Sequence, residues 1–261
     1  MSVLSNISWR SWAVWQRNKD VFFFTWKTNF LPPFLEPILY LLAMGFGFGM
    51  FVQTFPPPWE SFTYAQFLGP GLVAISVMYG GFYECTYGSF VRMHYQKTFE
   101  AIVATPLTIE DVIAGEILWG ATKSFINASI VAVVVAAFGL LSFPSFLLMI
   151  PITFLGGMAF GSIAMIFTAL VPNLDSFNYP FFLFITPMFL LSGTFFPLEI
   201  LPSAIQDIAM TLPLTHTSIL MRDLGLGLFR AIDIVSLTYL AVLTLVTFYA
   251  AILMMRRRLV N

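Results

Sequence analysis

The sequence predicts an all-α polytopic membrane protein: six transmembrane helices, an N-terminal amphipathic interface helix, and outer re-entrant helices before the last span. Three observations predict it. The 261 residues are 59% hydrophobic and only 10% charged, and their mean hydropathy is +0.87, whereas a soluble chain carries about 25% charged residues. Segments 31–52, 67–91, 112–141, 146–171, 177–195 and 234–255 are each apolar and close to or above the roughly 20 residues that a spanning helix needs. No stretch alternates apolar and polar residues as the strands of a membrane barrel do.

The elements follow in order. Residues 5–28 read as a helix lying on the membrane, because Trp9, Trp12, Trp15, Phe22, Phe23 and Trp26 fall within an arc of about 140°. Tryptophan favours the headgroup level, and Lys19, which falls inside the arc, would have to snorkel. The first span, 31–52, is crowded by Gly45, Gly47 and Gly49. The loop 53–66 is stiffened by Pro56, Pro57 and Pro58, none of which suits a helix interior. Span 4 carries Gly157 and Gly161, a spacing that permits close helix approach. The segment 196–233, re-entrant over 196–230, is apolar yet broken by Pro197, Pro202, Pro213, Gly225 and Gly227. Its pieces near 203–211 and 215–224 are too short to span and read as interfacial or re-entrant helices.

Lys and Arg set the expected orientation. Arg10, Arg17, Lys19 and Lys27 precede the first span, Arg92 and Lys97 follow the second, and Arg256, Arg257 and Arg258 follow the last. The loops 53–66 and 142–145 hold neither. Both termini are therefore expected on the cytoplasmic side of a bacterial inner membrane, with Arg222 and Arg230 dissenting from the outer side. The first residues show no apolar core followed by a small-residue cleavage site, so insertion is expected to rely on the spans. A net charge of −1 gives no basic face for nucleic acid.

Chemistry-bearing residues are few. Cys85 is the only cysteine, which excludes a disulfide within one chain. Ionisable residues inside spans are costly and mark functional candidates. These are Glu36, Glu84, Glu116 and Lys123, with Lys123 expected to pair with one of the glutamates, for function or for structure. Tyr79, Tyr83, Tyr87 and Phe90 follow one another at helical spacing in span 2, and span 5 adds Tyr179, Phe181, Phe182, Phe184 and Phe189. Such rings line a path or simply fill a core. His94 and His216 fall on opposite sides of the membrane and form no metal site. A Ser89–His94 protease pair lacks an orienting acid. There is no GxxxxGK[ST] loop, so ATP has no cradle here. Residues 95–106 are a connecting loop or a lever for a partner. Phe99, Ile102 and Val103 share one face beside Lys97 and Glu100, and Pro106 ends the piece.

Residues 86–123 (TYGSFVRMHYQKTFEAIVATPLTIEDVIAGEILWGATK) and 191–216 (LSGTFFPLEILPSAIQDIAMTLPLTH) resemble the ABC-2 type transporter permease family. Within it, EPILYLLAMGFGFG (36–49) and FLGPGLVAISVMYGGFYECTYGSF (67–90) resemble the NodJ-like branch, associated with lipo-oligosaccharide export. The likeness covers nearly the whole chain. It implies a coupling helix over 95–106, with Lys97, Thr98, Phe99, Glu100, Ile102, Val103, Thr105 and Pro106 meeting an ABC ATPase. It also implies a pair of permeases on two ATPase subunits, where ATP and Mg would bind, with no cofactor in this chain.

The expected function is then a permease subunit, not an enzyme, of an ATP-driven exporter of an amphipathic substrate. Glu36, Tyr79, Tyr83, Glu84, Tyr87, Phe90 and Tyr179 are the candidate path, and Glu116 with Lys123 the buried charge network. A drug or lipid exporter of the same family is one alternative, and an ion- or proton-coupled carrier another. The absence of an internal repeat argues against the carrier.

Overall fold

A computed structural model describes residues 7–52 and 55–260, those of 28–34 and 260 by backbone alone. Residues 5, 6, 53 and 54 of the expected interface helix and first loop lie outside the described residues.

The chain forms a helical bundle. Helix α1 (Ser11–Phe24) is followed by α2 (Trp26–Tyr40), which continues as a π-helical Leu41–Gly47 and a 3₁₀ turn Phe48–Phe51. Next come α3 (Tyr64–Tyr95), the short α4 (Thr98–Val103), α5 (Ile109–Ala137), α6 (Ser145–Leu170) and α7 (Leu174–Leu191). The chain ends with α8 (Ser203–Ala209), α9 (Pro213–Leu226) and α10 (Ala231–Val260).

Local chemistry sets the boundaries. Reciprocal capping boxes start α3 (Thr63 with Gln66) and α5 (Thr108 with Asp111). Pro213 opens α9, and Gly227, at φ 76°, closes it. The apolar segment 112–141 yields a helix only to Ala137, because Gly139 turns the chain at φ 71°. Segment 177–195 likewise becomes Leu174–Leu191, with Gly193 at φ 65° beyond it. The second and last spans are longer than expected, and Arg256, Arg257 and Arg258 ride on α10 itself.

Among the described residues five helices (α3, α5, α6, α7 and α10) are long and apolar enough to cross a membrane. This makes the chain a membrane protein. The expected first span, 31–52, lies on the continuous helix Trp26–Phe51, within which Leu35–Phe51 is apolar.

Helices α3, α5 and α6 form the centre. They approach closely because glycine and serine replace bulk at the crossing. A Cβ on Gly80 would lie 2.8 Å from Ser124 Cα, and one on Gly157 2.7 Å from Ser124 Cβ. The Gly157/Gly161 pair therefore packs within the chain. Helix α10 packs on α6, and α9 fills the end of the bundle against α3 and α10. The interfacial expectation fails for α9, which is enclosed by protein from Pro213 to Asp223. Helix α1 lies along α5 through Ser11, Val14 and Asn18. Gly115 makes this possible, since a Cβ there would sit 2.6 Å from Val14 Cβ. Helices α7 and α10 keep most of their apolar surface uncovered.

Candidate functional site

The site grows from two stripes. Glu84, Gly88 and Arg92 recur every four residues on α3, and Glu116, Trp119 and Lys123 recur on the facing side of α5. Arg92 joins them: its Nη1 is 2.8 Å from Glu84 Oε1, and its Nη2 2.6 Å from Glu116 Oε2. Lys123 Nζ donates to Glu84 Oε2 at 2.7 Å, and Trp119 Nε1 to Glu84 Oε1 at 3.1 Å. Glu116 also accepts from Ser89 Oγ at 2.6 Å and from Asn18 Nδ2 of α1 at 2.8 Å. Two carboxylates thus tie α1, α3 and α5 into one unit, every bond charge-assisted.

Arg92 was expected as a loop residue marking the cytoplasmic side. It is instead the hub of the cluster, because α3 runs on to Tyr95. The signal that finds it is the four-residue spacing from Glu84 through Gly88. Gly88 leaves the room, as a Cβ there would meet Glu84 Oε1 at 3.0 Å. Glu84 is buried in these bonds and lines the cavity beside them. Ser89 gives its hydroxyl to Glu116, while His94 stacks on Phe90 with ring centroids 5.4 Å apart. Ser89 and His94 therefore do not pair with each other.

A cavity of about 400 Å³ opens beside the cluster, lined by Arg17, Val21, Phe22, Glu84, Arg92 and Lys123 among others. Burial, helped by neighbouring Arg92 and opposed by Glu116, holds the Arg17 guanidinium below its ordinary pKa.

Helix α4 sits at the same end of the bundle. Lys97 precedes it in a left-handed conformation (φ 54°), which turns the chain back toward α5. Its Nζ lies 2.8 Å from Glu100 Oε1, with the two side chains 60% and 68% exposed. Phe99, expected on the partner-facing side with Ile102 and Val103, is only 2% exposed and belongs to the protein's own core. The turn at Lys97 rolls that first helical position inward. Val103 stays exposed and Ile102 partly so. Thr105 Oγ1 donates to Ile102 O at 2.6 Å. Pro106 O accepts from Arg10 Nη1 at 2.7 Å, and Thr98 Oγ1 from Arg17 Nη2 at 3.5 Å. Helix α1 thereby grips α4 at both ends. Ser8 N adds a bond to Asp111 Oδ1 at 2.6 Å, where α5 begins.

The aromatic stripe of α3 faces α7. Tyr79 stacks on Tyr83 at 5.4 Å, and Tyr83 and Tyr87 are 5.9 Å apart. Phe189, Phe181 and Phe177 lie opposite them at 6.1, 5.9 and 5.1 Å. Phe90 continues the stripe in the core, with its ring centroid 5.5 Å from that of Phe177. Tyr179, at 70% exposure, stands on the outer surface rather than in the ladder. Glu36 is exposed on α2.

At the opposite end, Arg222 of α9 is buried without a carboxylate in ion-pair range among the described residues. It donates to the carbonyls of Gly193 (2.8 Å), Thr194 (3.4 Å) and Phe67 (3.3 Å), and its guanidinium carbon sits 3.7 Å from the Phe67 ring centroid. Arg230 is 2.6 Å from Asp223. His216 bridges Ser236 Oγ at 3.0 Å and Met210 O at 2.9 Å. The two basic residues that dissented from the expected orientation are therefore structural.

Comparison with known proteins agrees with this architecture. A sequence model described as "ABC-2 type transporter" matches residues 10–226. Nodulation protein J of Rhizobium meliloti (strain 1021) is 37% identical over 255 residues, covering 96% of this chain and 94% of the relative. Nodulation protein J of Sinorhizobium fredii (strain NBRC 101917 / NGR234) is 34% identical over 264 residues, covering 100% and 98%. The inner membrane transport permease YadH of Escherichia coli (strain K12) is 22% identical over 204 residues, covering 78% of each.

Proposed function

The chain belongs to the ABC-2 type transporter family, and we propose that it is the permease subunit of an ATP-driven exporter of an amphipathic substrate. A lipid-linked oligosaccharide is the substrate class we favour, and a drug or lipid is the rival cargo. The observation that carries the proposal is α4. It is a short helix with an exposed charged face, held by α1 at both ends rather than dangling from a loop. A separate ATPase, two copies with ATP and Mg, would press on Lys97, Glu100 and Val103. Helix α1 and the charge cluster would carry that push into α3 and α5 as one body: Trp15–Thr122 and Asn18–Glu116 bind α1 to α5, Ser8–Asp111 and Arg10–Pro106 bind the residues just before it to α5 and the α4–α5 turn, and Arg92–Glu116 binds α5 to α3.

In this reading α2 and its continuation complete six spans, tilted or flanked by interfacial residues. Both termini face the cytoplasm of a bacterial inner membrane, and two copies of the permease pair through surfaces such as α7 that the monomer leaves apolar. The cargo would move along the Tyr79–Tyr83–Tyr87 ladder, with Glu36 facing it. The carrier alternative fits less well. Glu84 and Glu116 are each held by Arg92, whereas a proton-coupled carboxylate has to lose and regain its charge.

The test is affinity purification of the chain from its native membrane in mild detergent, with partners identified by mass spectrometry and ATP hydrolysis assayed on the eluate. A stoichiometric ATPase that disappears on reversing the charges of Lys97 and Glu100 is the expected result. A chain that elutes alone, with gradient-driven flux intact, overturns the proposal.

A further inference from the structure

The cavity between α1 and the α3–α5 pair has a cation, Arg17, with no carboxylate in ion-pair range among the described residues. Arg92 and Lys123 are each engaged by carboxylates. Arg17, on the same wall, is not: it donates to Asn18 Oδ1 at 2.9 Å and reaches Thr98 Oγ1 at 3.5 Å, with no carboxylate in ion-pair range among the described residues. Three cations thus gather around the two carboxylates Glu84 and Glu116, which leaves a net positive wall. A half-buried guanidinium beside another guanidinium favours an anion, and its planar fork suits a phosphate.

The rest of the cavity says what kind of anion. Its volume, about 400 Å³, exceeds what a bare inorganic ion needs. Val21 and Phe22 give it an apolar side. Along α1 that side runs on into Phe23 and Phe24, and into Trp26 at the start of α2, which are exposed on the surface. Aromatic rings of this kind belong at the headgroup level of a bilayer. A charged recess opening beside an exposed aromatic face matches a molecule with an anionic head and an apolar tail.

We propose that this cavity binds the phosphate headgroup of an amphiphile from the adjoining leaflet, with Arg17 as the contact residue and the Phe22–Phe24 end of α1, with Trp26 at the start of α2, against its tail. The headgroup belongs to a bilayer phospholipid or to the transported amphiphile. That the transported cargo uses the site rests on the permease reading, but the site itself does not.

The experiment uses the full chain, purified with whatever ATPase accompanies it, in phosphatidylcholine nanodiscs with and without dioleoyl phosphatidic acid. Bound phosphatidic acid is counted by native mass spectrometry after release into detergent. Arg17→Gln should lower retention about tenfold, the loss of one charge-assisted contact. Lys19→Gln removes a charge from the same helix outside the cavity and should change it less than about twofold. Should Arg17→Gln fold poorly, Val21→Glu at an exposed position sets a carboxylate one turn from Arg17 and should lower retention likewise. Equal retention by wild type and both variants overturns the site. Displacement by inorganic phosphate as readily as by dioctanoyl phosphatidic acid overturns the tail contact. Adding the transported amphiphile class as a lipid-linked oligosaccharide bearing a phosphate separates the two sources: competition assigns the site to cargo, and its absence to bilayer lipid. Co-purified ATPase, read in the same eluate, reports on the permease assignment separately. Loss of Arg17-dependent retention with the ATPase present sinks the site alone, and retention without an ATPase sinks the assignment alone.

Discussion

The two ends of the bundle both bury arginine, and they hold it in different ways. At the α4 end Arg92 sits between Glu84 and Glu116 at 2.8 and 2.6 Å, and the cluster joins three helices that start far apart in sequence. At the α9 end Arg222 lies on the faces of Phe67 and Trp59 (centroids at 3.7 and 5.3 Å) and donates to loop carbonyls. The first arrangement needs both signs of charge in place at once, so removing one partner strands the other in the interior. The second needs only that loop 192–195 stay folded against α3 and α9. Opposed charges make a stiff joint between helices, and carbonyls with rings make a local packing contact, which suits the proposal that motion enters at the α4 end.

The comparison breaks or sharpens with substitutions, the largest effect first. Glu116→Leu leaves Arg92 half paired and removes the close acceptor of Ser89 and Asn18, and should cost about 3–5 kcal/mol. Its thermal midpoint in detergent should fall furthest of any single change considered. Arg222→Met keeps the stem and its packing while releasing carbonyls, and should cost about 1–3 kcal/mol. If it costs as much as Glu116→Leu, the two ends are equally stiff and the distinction collapses. Lys123→Met should cost about 1 kcal/mol or less, because Lys123 is 25% exposed and Glu84 keeps Arg92 and Trp119. A drop larger than that of Arg222→Met would show that Lys123, rather than Arg92, neutralises Glu84.

Much of this architecture was legible in the sequence, for physical reasons. Long apolar runs with few charges cannot be anything but buried in lipid or protein, so five of the expected spans reappear, with shifted ends, as helices long enough to cross a membrane. The ends moved because helix length is fixed by caps. Gly139 and Gly193 stop helices inside apolar runs that hydropathy reads as continuous. Glu84, Glu116 and Lys123 announced themselves as costly ions. Arg92 did not, because a basic residue near a span end is commonplace and only its register with Glu84 marks it. Phe99 was misplaced for a related reason. Face arguments assume an unbroken helix, and here a left-handed Lys97 intervenes. Tyr179 drew attention as an aromatic, though nothing in its spacing said which way α7 turns.

The smallest expected effect on stability is the most informative about function. Lys97 and Glu100 form an i, i+3 pair that is largely exposed, so Lys97→Glu should shift the folding free energy by no more than about 0.5 kcal/mol. Yet α4 is fastened to the body on its inner side, through Phe99, Ile102 and the bonds from Arg10 and Arg17. Its outward charges therefore have no structural duty that this chain can supply. If Lys97→Glu leaves the thermal midpoint unchanged and strips the ATPase from the purified permease, those charges serve a partner. The soft outer rim of α4 is then the counterpart of the stiff cluster beneath it. If the ATPase stays, the push enters through α1 instead. In that case Arg10→Gln, which frees the Pro106 end of α4, becomes the substitution that uncouples hydrolysis from transport.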